Sequence, residues 1–161
     1  MRDILKNQQG TAAIWGVFIV LFLLLFAVWI CESGRMLVNN VEIRTAADAA
    51  SLAGASTAVV TPIGLQPEPD GNGGYKFVSS GWQTTINKQQ ADDVAQKLLA
   101  LNLPSGCSGG TFQSQVSSNG SRYYVFLSNI NMPTLLSTFL GKPVYLGANS
   151  DSEAGQPATS Q

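Results

Sequence analysis

The chain has 161 residues, with 9 Lys+Arg against 10 Asp+Glu and no histidine. Only 12% of it is charged, which leaves no broad basic surface for nucleic acid, no imidazole base and no histidine-ligated metal site. The two cysteines cannot build a disulfide framework and have no zinc spacing, and the length allows one modest domain, or one membrane segment plus a domain of roughly a hundred residues.

Residues 1–10 form a short leader carrying Arg2 and Lys6. From Thr11 to Cys31 the sequence reads TAAIWGVFIVLFLLLFAVWIC without a charge. About twenty apolar residues at ~1.5 Å rise cross a hydrocarbon core of roughly 30 Å. A signal-peptide apolar region runs only about 7–15 residues and ends in a small-residue cleavage site. This run is longer and meets Glu32-Ser33-Gly34-Arg35 instead, so residues 11–31 are expected to be a retained, single-pass transmembrane helix. Arg2 and Lys6 before the span balance Arg35 and Arg44 after it, which leaves the positive-inside comparison tied. The polar, Ser/Asn/Gly-rich remainder behind a basic start favours a cytoplasmic N-terminus and an exported C-terminal domain.

Residues 32–56 continue as ESGRMLVNNVEIRTAADAASLAGAS, rich in helix formers and free of proline until Pro62. One unbroken helix from Thr11 to Ser56, roughly 70 Å long, is expected. Leu37, Val41, Ala49 and Leu52 fall near one face, with Glu32–Arg35 and Arg44–Asp48 as neighbours on a solvated surface. The small residues Ala46, Ala50, Ala53 and Gly54 let another element approach the helix backbone closely. That element is either the protein's own sheet or a helix of another subunit; the spacing alone does not choose.

Residues 57–74, with Pro62, Pro67, Pro69 and Asp70-Gly71-Asn72-Gly73-Gly74, read as a linker or loop. A small α+β domain is expected over 75–148. Tyr75–Val78 is a strand candidate, and Asn87 caps a helix from Lys88 to about Leu101 with Ala91, Val94, Ala95, Leu98 and Leu99 inward. Thr111–Val116 and Arg122–Leu127 flank Ser117-Ser118-Asn119-Gly120-Ser121, a strong hairpin signal. Met132–Leu140 reads as a short helix and Pro143–Ala148 as a last strand. Polar residues 149–161 are expected to be a flexible tail. The fold class is therefore α+β: a long N-terminal transmembrane helix running into a small exported domain with an antiparallel sheet.

No catalytic, cofactor or metal site emerges. Asp92 and Asp93 are adjacent on a helix and point about 100° apart, as solvated surface groups do. Asn149-Ser150-Asp151-Ser152-Glu153 lacks the alternating ligands and glycine of a calcium loop. Serines such as Ser105 have no histidine for triad chemistry. Cys107 and membrane-located Cys31 cannot pair within one chain. No small-molecule substrate is implied. As a binding module, the alternative, the exported domain would offer Trp82, Phe112, Tyr123 and Tyr124 as contacts.

A basic residue, Gly10, an apolar span, Glu32-Ser33-Gly34-Arg35 and the run Ala46-Ala47-Asp48-Ala49-Ala50-Ser51-Leu52-Ala53-Gly54-Ala55 follow one another over residues 6–56. This order resembles the N-terminal segment of the TadE/TadG-like proteins of Flp (tight adherence) pilus assembly. The strand, Met132-Pro133 segment and final strand near the C-terminus look like the end of such chains. The resemblance implies a non-enzymatic component in the cytoplasmic (inner) membrane, whose partners are the lipid bilayer and other pilus or assembly-machine subunits. It also implies a candidate leader cleavage between Gly10 and Thr11. The family's pseudopilin branch usually carries glutamate five residues after the cut, and Trp15 stands there. The TadG-like branch, with an uncleaved anchor, is favoured; incorporation into a pilus after cleavage stays open. The alternative is a membrane-tethered binding or adhesion module that uses the helix as a stalk.

Overall fold

The computed structural model describes residues 2–155, with side chains from Gly10 onward except those of residues 136, 139 and 140. Helix α1, Arg2–Ser56, runs without a break from the leader through the apolar span into the domain. Its strong helix formers and the absence of an internal proline explain the continuity. Gly10–Ser56 is long and apolar enough to cross a membrane, and its apolar stretch is bare of protein. Bulky side chains from Ile14 to Ile30 face outward all round the helix, which no buried core helix does.

After α1 the chain folds back on itself as a two-stranded arm. Strand β1, Val59–Ile63, pairs antiparallel with β4, Gly81–Thr85. Beyond them β2, Gln66–Pro69, pairs with β3, Tyr75–Val78, and Asp70–Gly74 makes the tip. The segment 57–74, expected as a linker, is thus half of a ribbon, and a domain boundary after residue 74 cuts through it. The prolines that argued against strands sit in this ribbon, opposite Trp82, Phe77 and Tyr75. In a two-stranded ribbon half of the backbone N–H groups face outward and need no partner, so proline is tolerated there.

Helix α2, Lys88–Asn102, starts where Asn87 Oδ1 accepts from the backbone N–H groups of Gln89 and Gln90. It buries Ala91, Ala95 and Leu99, the expected face. Strands β5 (Thr111–Val116), β6 (Arg122–Met132) and β7 (Val144–Glu153) form an antiparallel sheet in that order. The β5–β6 turn carries Gly120 at φ 73°, the left-handed conformation that Asn-Gly signals. A bulge between Leu127 and Ile130, with Asn129 at φ 59°, lets β6 continue to Met132. Helix α3, Leu135–Leu140, is capped by Thr134, whose Oγ1 accepts from Ser137 N while Ser137 Oγ accepts from Thr134 N. Residues 149–153 of the expected tail are strand, paired with Arg122–Phe126, because polar side chains do not stop an edge strand that has a ladder to join. Residues 156–161 lie outside the described residues.

α1 and α2 lie side by side on the sheet, α1 over β6 and β7 and α2 beside β5. The core is Ile43, Ala46, Ala47, Ala50, Ala55, Ala91, Ala95, Leu99, Tyr123, Val125, Leu127 and Ile130, among others. The face of α1 that enters it is the small-residue one. Leu37, Val41 and Leu52, which the spacing put near one face, are exposed on the opposite side. Alanines allow the helix backbone to settle close on α2 and the sheet; leucines at those positions would hold it off.

Candidate functional site

Because the small residues of α1 pack in the chain's own core, against α2 and the sheet, the surface that reaches outside the molecule lies elsewhere. Ala46 and Ala50 are fully buried, Gly54 is buried and Ala53 is half-buried. Gly54 lies so close to the ring of Tyr123 that a Cβ there would stand 2.2 Å from its Cε1. The buried Ser51 hydroxyl lies 3.0 Å from Ser150 Oγ and 2.8 Å from Ser152 Oγ, and donates to the Asp48 carbonyl. Small side chains and one hydroxyl thus fasten α1 to β6 and β7.

A polar knot closes the other side of that contact. The Tyr123 hydroxyl donates to Asp92 Oδ1 at 2.6 Å, and Ser114 Oγ donates to the same oxygen at 2.5 Å. Lys88 Nζ donates to Asp92 Oδ2 at 2.6 Å and to Ser114 Oγ at 2.7 Å. Partial burial opposes ionisation of Asp92, but the hydrogen bonds from Lys88, Ser114 and Tyr123 outweigh it and hold the carboxyl below its ordinary range. Burial first, and the Asp92 carboxylate second, push the Tyr123 hydroxyl well above its ordinary value. Lys88 is paired with the Asp92 carboxylate and Ser114 is committed as a donor to it, so the arrangement braces α2 against the sheet. The sequence reading missed this group: Asp92 looks no different from Asp93 until Tyr123 and Ser114 are brought to it.

At the membrane end, the buried Glu32 carboxylate accepts from Leu135 N through Oε1 at 3.0 Å. The acidic residue of the Glu-Ser-Gly-Arg element therefore straps the start of α3 to α1, rather than pairing with Arg35. Tyr123, offered as an external contact, is in the core; Tyr124 and Phe112 are half-buried and Trp82 is exposed along the arm. Gly10 and Thr11 lie on the exposed helix surface, and nothing crowds Gly10. Cys31 and Cys107 are free thiols. Burial, reinforced by Glu42 and opposed by Arg35, pushes the Cys107 thiol up.

Hollows among the described residues include one of about 260 Å³ between α1, β1 and the end of β7, one of about 50 Å³ between α2 and the bulge, and one of about 460 Å³ beside Glu42, Leu101 and Pro104. Among the described residues no three His, Cys, Asp or Glu side chains converge as metal ligands. What remains exposed in quantity is apolar: the span, and a stripe of Leu37, Val38, Val41 and Leu52 along α1 beyond it.

Residues 10–57 match the Tad family model, described as "Putative Flp pilus-assembly TadE/G-like". The match covers the bare span, Glu32 and the small-residue face, and ends one residue past α1. The Tad segment thus includes both ends of the strapped contact on its helical side, Glu32 and Gly54, while Leu135 and Tyr123 lie outside it. No curated protein and no solved structure matches the chain.

Proposed function

We propose that this chain is a membrane-anchored, non-enzymatic component of Flp or type IV-like pilus assembly, of the TadG-like kind, that joins other subunits through α1. The observation that carries the reading is that the Tad match, residues 10–57, lies almost entirely on α1, bare where the helix is apolar and packed where it enters the domain. The N-terminus lies in the cytoplasm, the span in the inner membrane and the domain outside. Within lipid, exchanging lipid contacts for helix contacts is nearly neutral, so fit between helices must supply the specificity. Above the membrane, the stripe from Leu37 to Leu52 is exposed, and covering it with a partner helix removes apolar surface from water.

Trp15, in place of a glutamate, supports an anchor that keeps its leader: mass spectrometry of the membrane fraction is expected to find a peptide spanning Gly10-Thr11. A free or methylated Thr11 terminus would move the protein to the pseudopilin class. Deleting residues 10–30 is expected to release the protein from membranes. Cysteine cross-linking from Leu37 and Val41 is expected to yield products with itself or with pilus subunits. The absence of products from either position would favour the second reading, a stalked binding module. That reading draws on the arm, whose Tyr75 and Phe77 are exposed.

A further inference from the structure

The end of the domain nearest the span carries a surface that the assembly reading does not use. Glu32 follows the last apolar residue of the span, Cys31, and its carboxylate holds Leu135 N at 3.0 Å. Side chains on a helix tilt toward its N-terminus, so this bond draws the start of α3 to the level where the apolar span ends. The polar layer of a bilayer adds only about 5–7 Å on each side of the hydrocarbon; the start of α3 therefore falls at its level. Leu135 is 53% exposed there and Tyr145, at the start of β7, is 58% exposed. Lys142, between them in sequence, is also exposed. Leucine, tyrosine and lysine are side chains that partition to the headgroup boundary: an apolar body inward, a hydroxyl or ammonium toward phosphate.

We propose that α3 and the start of β7 form a second membrane contact, in which Leu135 and Tyr145 enter the headgroup layer and Lys142 meets anionic lipid phosphate. This rests on the anchor reading above. The occupant is the bilayer because α1 continues directly into it from the end of the domain where Glu32 holds Leu135 N, and because Lys142, exposed in the loop after α3, can pair with a lipid phosphate. The domain is then held by two points rather than one, which fixes its tilt on the membrane.

The test uses the full chain with Cys31 and Cys107 replaced by serine, in nanodiscs containing phosphatidylglycerol. Single cysteines at Leu135→Cys, Tyr145→Cys and Leu101→Cys carry a nitroxide, and collision with oxygen is compared with collision with a nickel chelate. Leu101 is 80% exposed and lies beside Glu42 and Thr45, roughly 15–20 Å farther along α1 than Glu32. The expected result is a severalfold higher oxygen-to-nickel ratio at 135 and 145 than at 101, falling at 135 when Glu32→Ala is added. Ratios at 135 and 145 equal to that at 101, in protein that resists alkaline extraction, overturn the second contact and leave the anchor standing. Extraction of the protein by alkali without detergent overturns both. Spin–spin broadening at 135 that disappears on dilution with unlabelled protein assigns the face to a second copy and likewise overturns the proposal.

Discussion

Gly54 and Tyr123 set the closest approach of α1 to the sheet, and the Tyr123 ring cannot retreat because its hydroxyl is held by Asp92. Gly54→Ala is therefore expected to destabilise the domain by about 1–3 kcal/mol through overpacking, even though alanine is intrinsically the better helix former by about 1 kcal/mol. Gly34 lies in the same helix with nothing within 4 Å, and Gly34→Ala is expected to show only the propensity gain. Denaturant unfolding in detergent checks the pair. The knot adds a pH dependence at both ends. The lowered Asp92 value means that its contribution is complete above its ordinary value of 3.8 and is lost as pH falls further. The raised Tyr123 value means that its contribution is complete below 10.0 and is lost as pH climbs beyond it. Asp92→Asn should therefore lose its deficit relative to the unmodified protein in acid, and Tyr123→Phe should do so in alkali, by thermal melts across the pH range. Little of this was legible in the residues themselves. Asp92 and its partner Tyr123 are 31 positions apart, and alternation marks Tyr123 as one face of a strand without saying which face is covered.

Elements announced by local chemistry appeared where expected. Asn87 capped α2, Asn119-Gly120 turned β5 into β6, and the apolar run became an unbroken helix. Of the arm only β3, Tyr75–Val78, was expected; β1 and β2 were not, because their prolines are breakers in a broad sheet and harmless in a ribbon. Along α1 the usual inward placement of large apolar residues is reversed: alanine and glycine enter the core and Leu37, Val41 and Leu52 remain outside. Glu32 was visible as part of a motif, but its partner is 103 residues away on a backbone N–H. That bond gives the α3 segment its place. A hydrogen bond to a charged group contributes roughly 1.5–3 kcal/mol, so Glu32→Ala should raise hydrogen exchange at the Leu135 amide by about one to two orders of magnitude if opening is local. Glu32→Gln retains an acceptor and should restore much of the protection. Equal exchange in all three proteins would mean that Glu32 does not hold α3.

Seen whole, the molecule is a rod with its domain fastened at two heights. β6 runs antiparallel to α1: Tyr123, near its start, meets Gly54, while Leu135, just past its end, meets Glu32. Those anchor points lie 22 residues apart along α1, roughly 33 Å, so the domain cannot swing about the helix without breaking core contacts. The strapped face is occupied, and the side turned away carries Leu37, Val41 and Leu52. Assembly through that side makes a separable claim. Surface substitutions away from caps and packing usually change stability by no more than about 0.5 kcal/mol, so Leu37→Glu with Leu52→Glu should leave unfolding nearly unchanged. If a partner helix covers both positions, each loses roughly 1.5–3 kcal/mol of apolar burial, and association should weaken by about two to four orders of magnitude. Cross-linking yield from Val41→Cys, measured with and without the double substitution at matched expression, reads this directly. A collapse in yield with unaltered melting assigns the outward stripe to assembly, whereas an unchanged yield assigns α1 beyond the membrane to the role of a stalk.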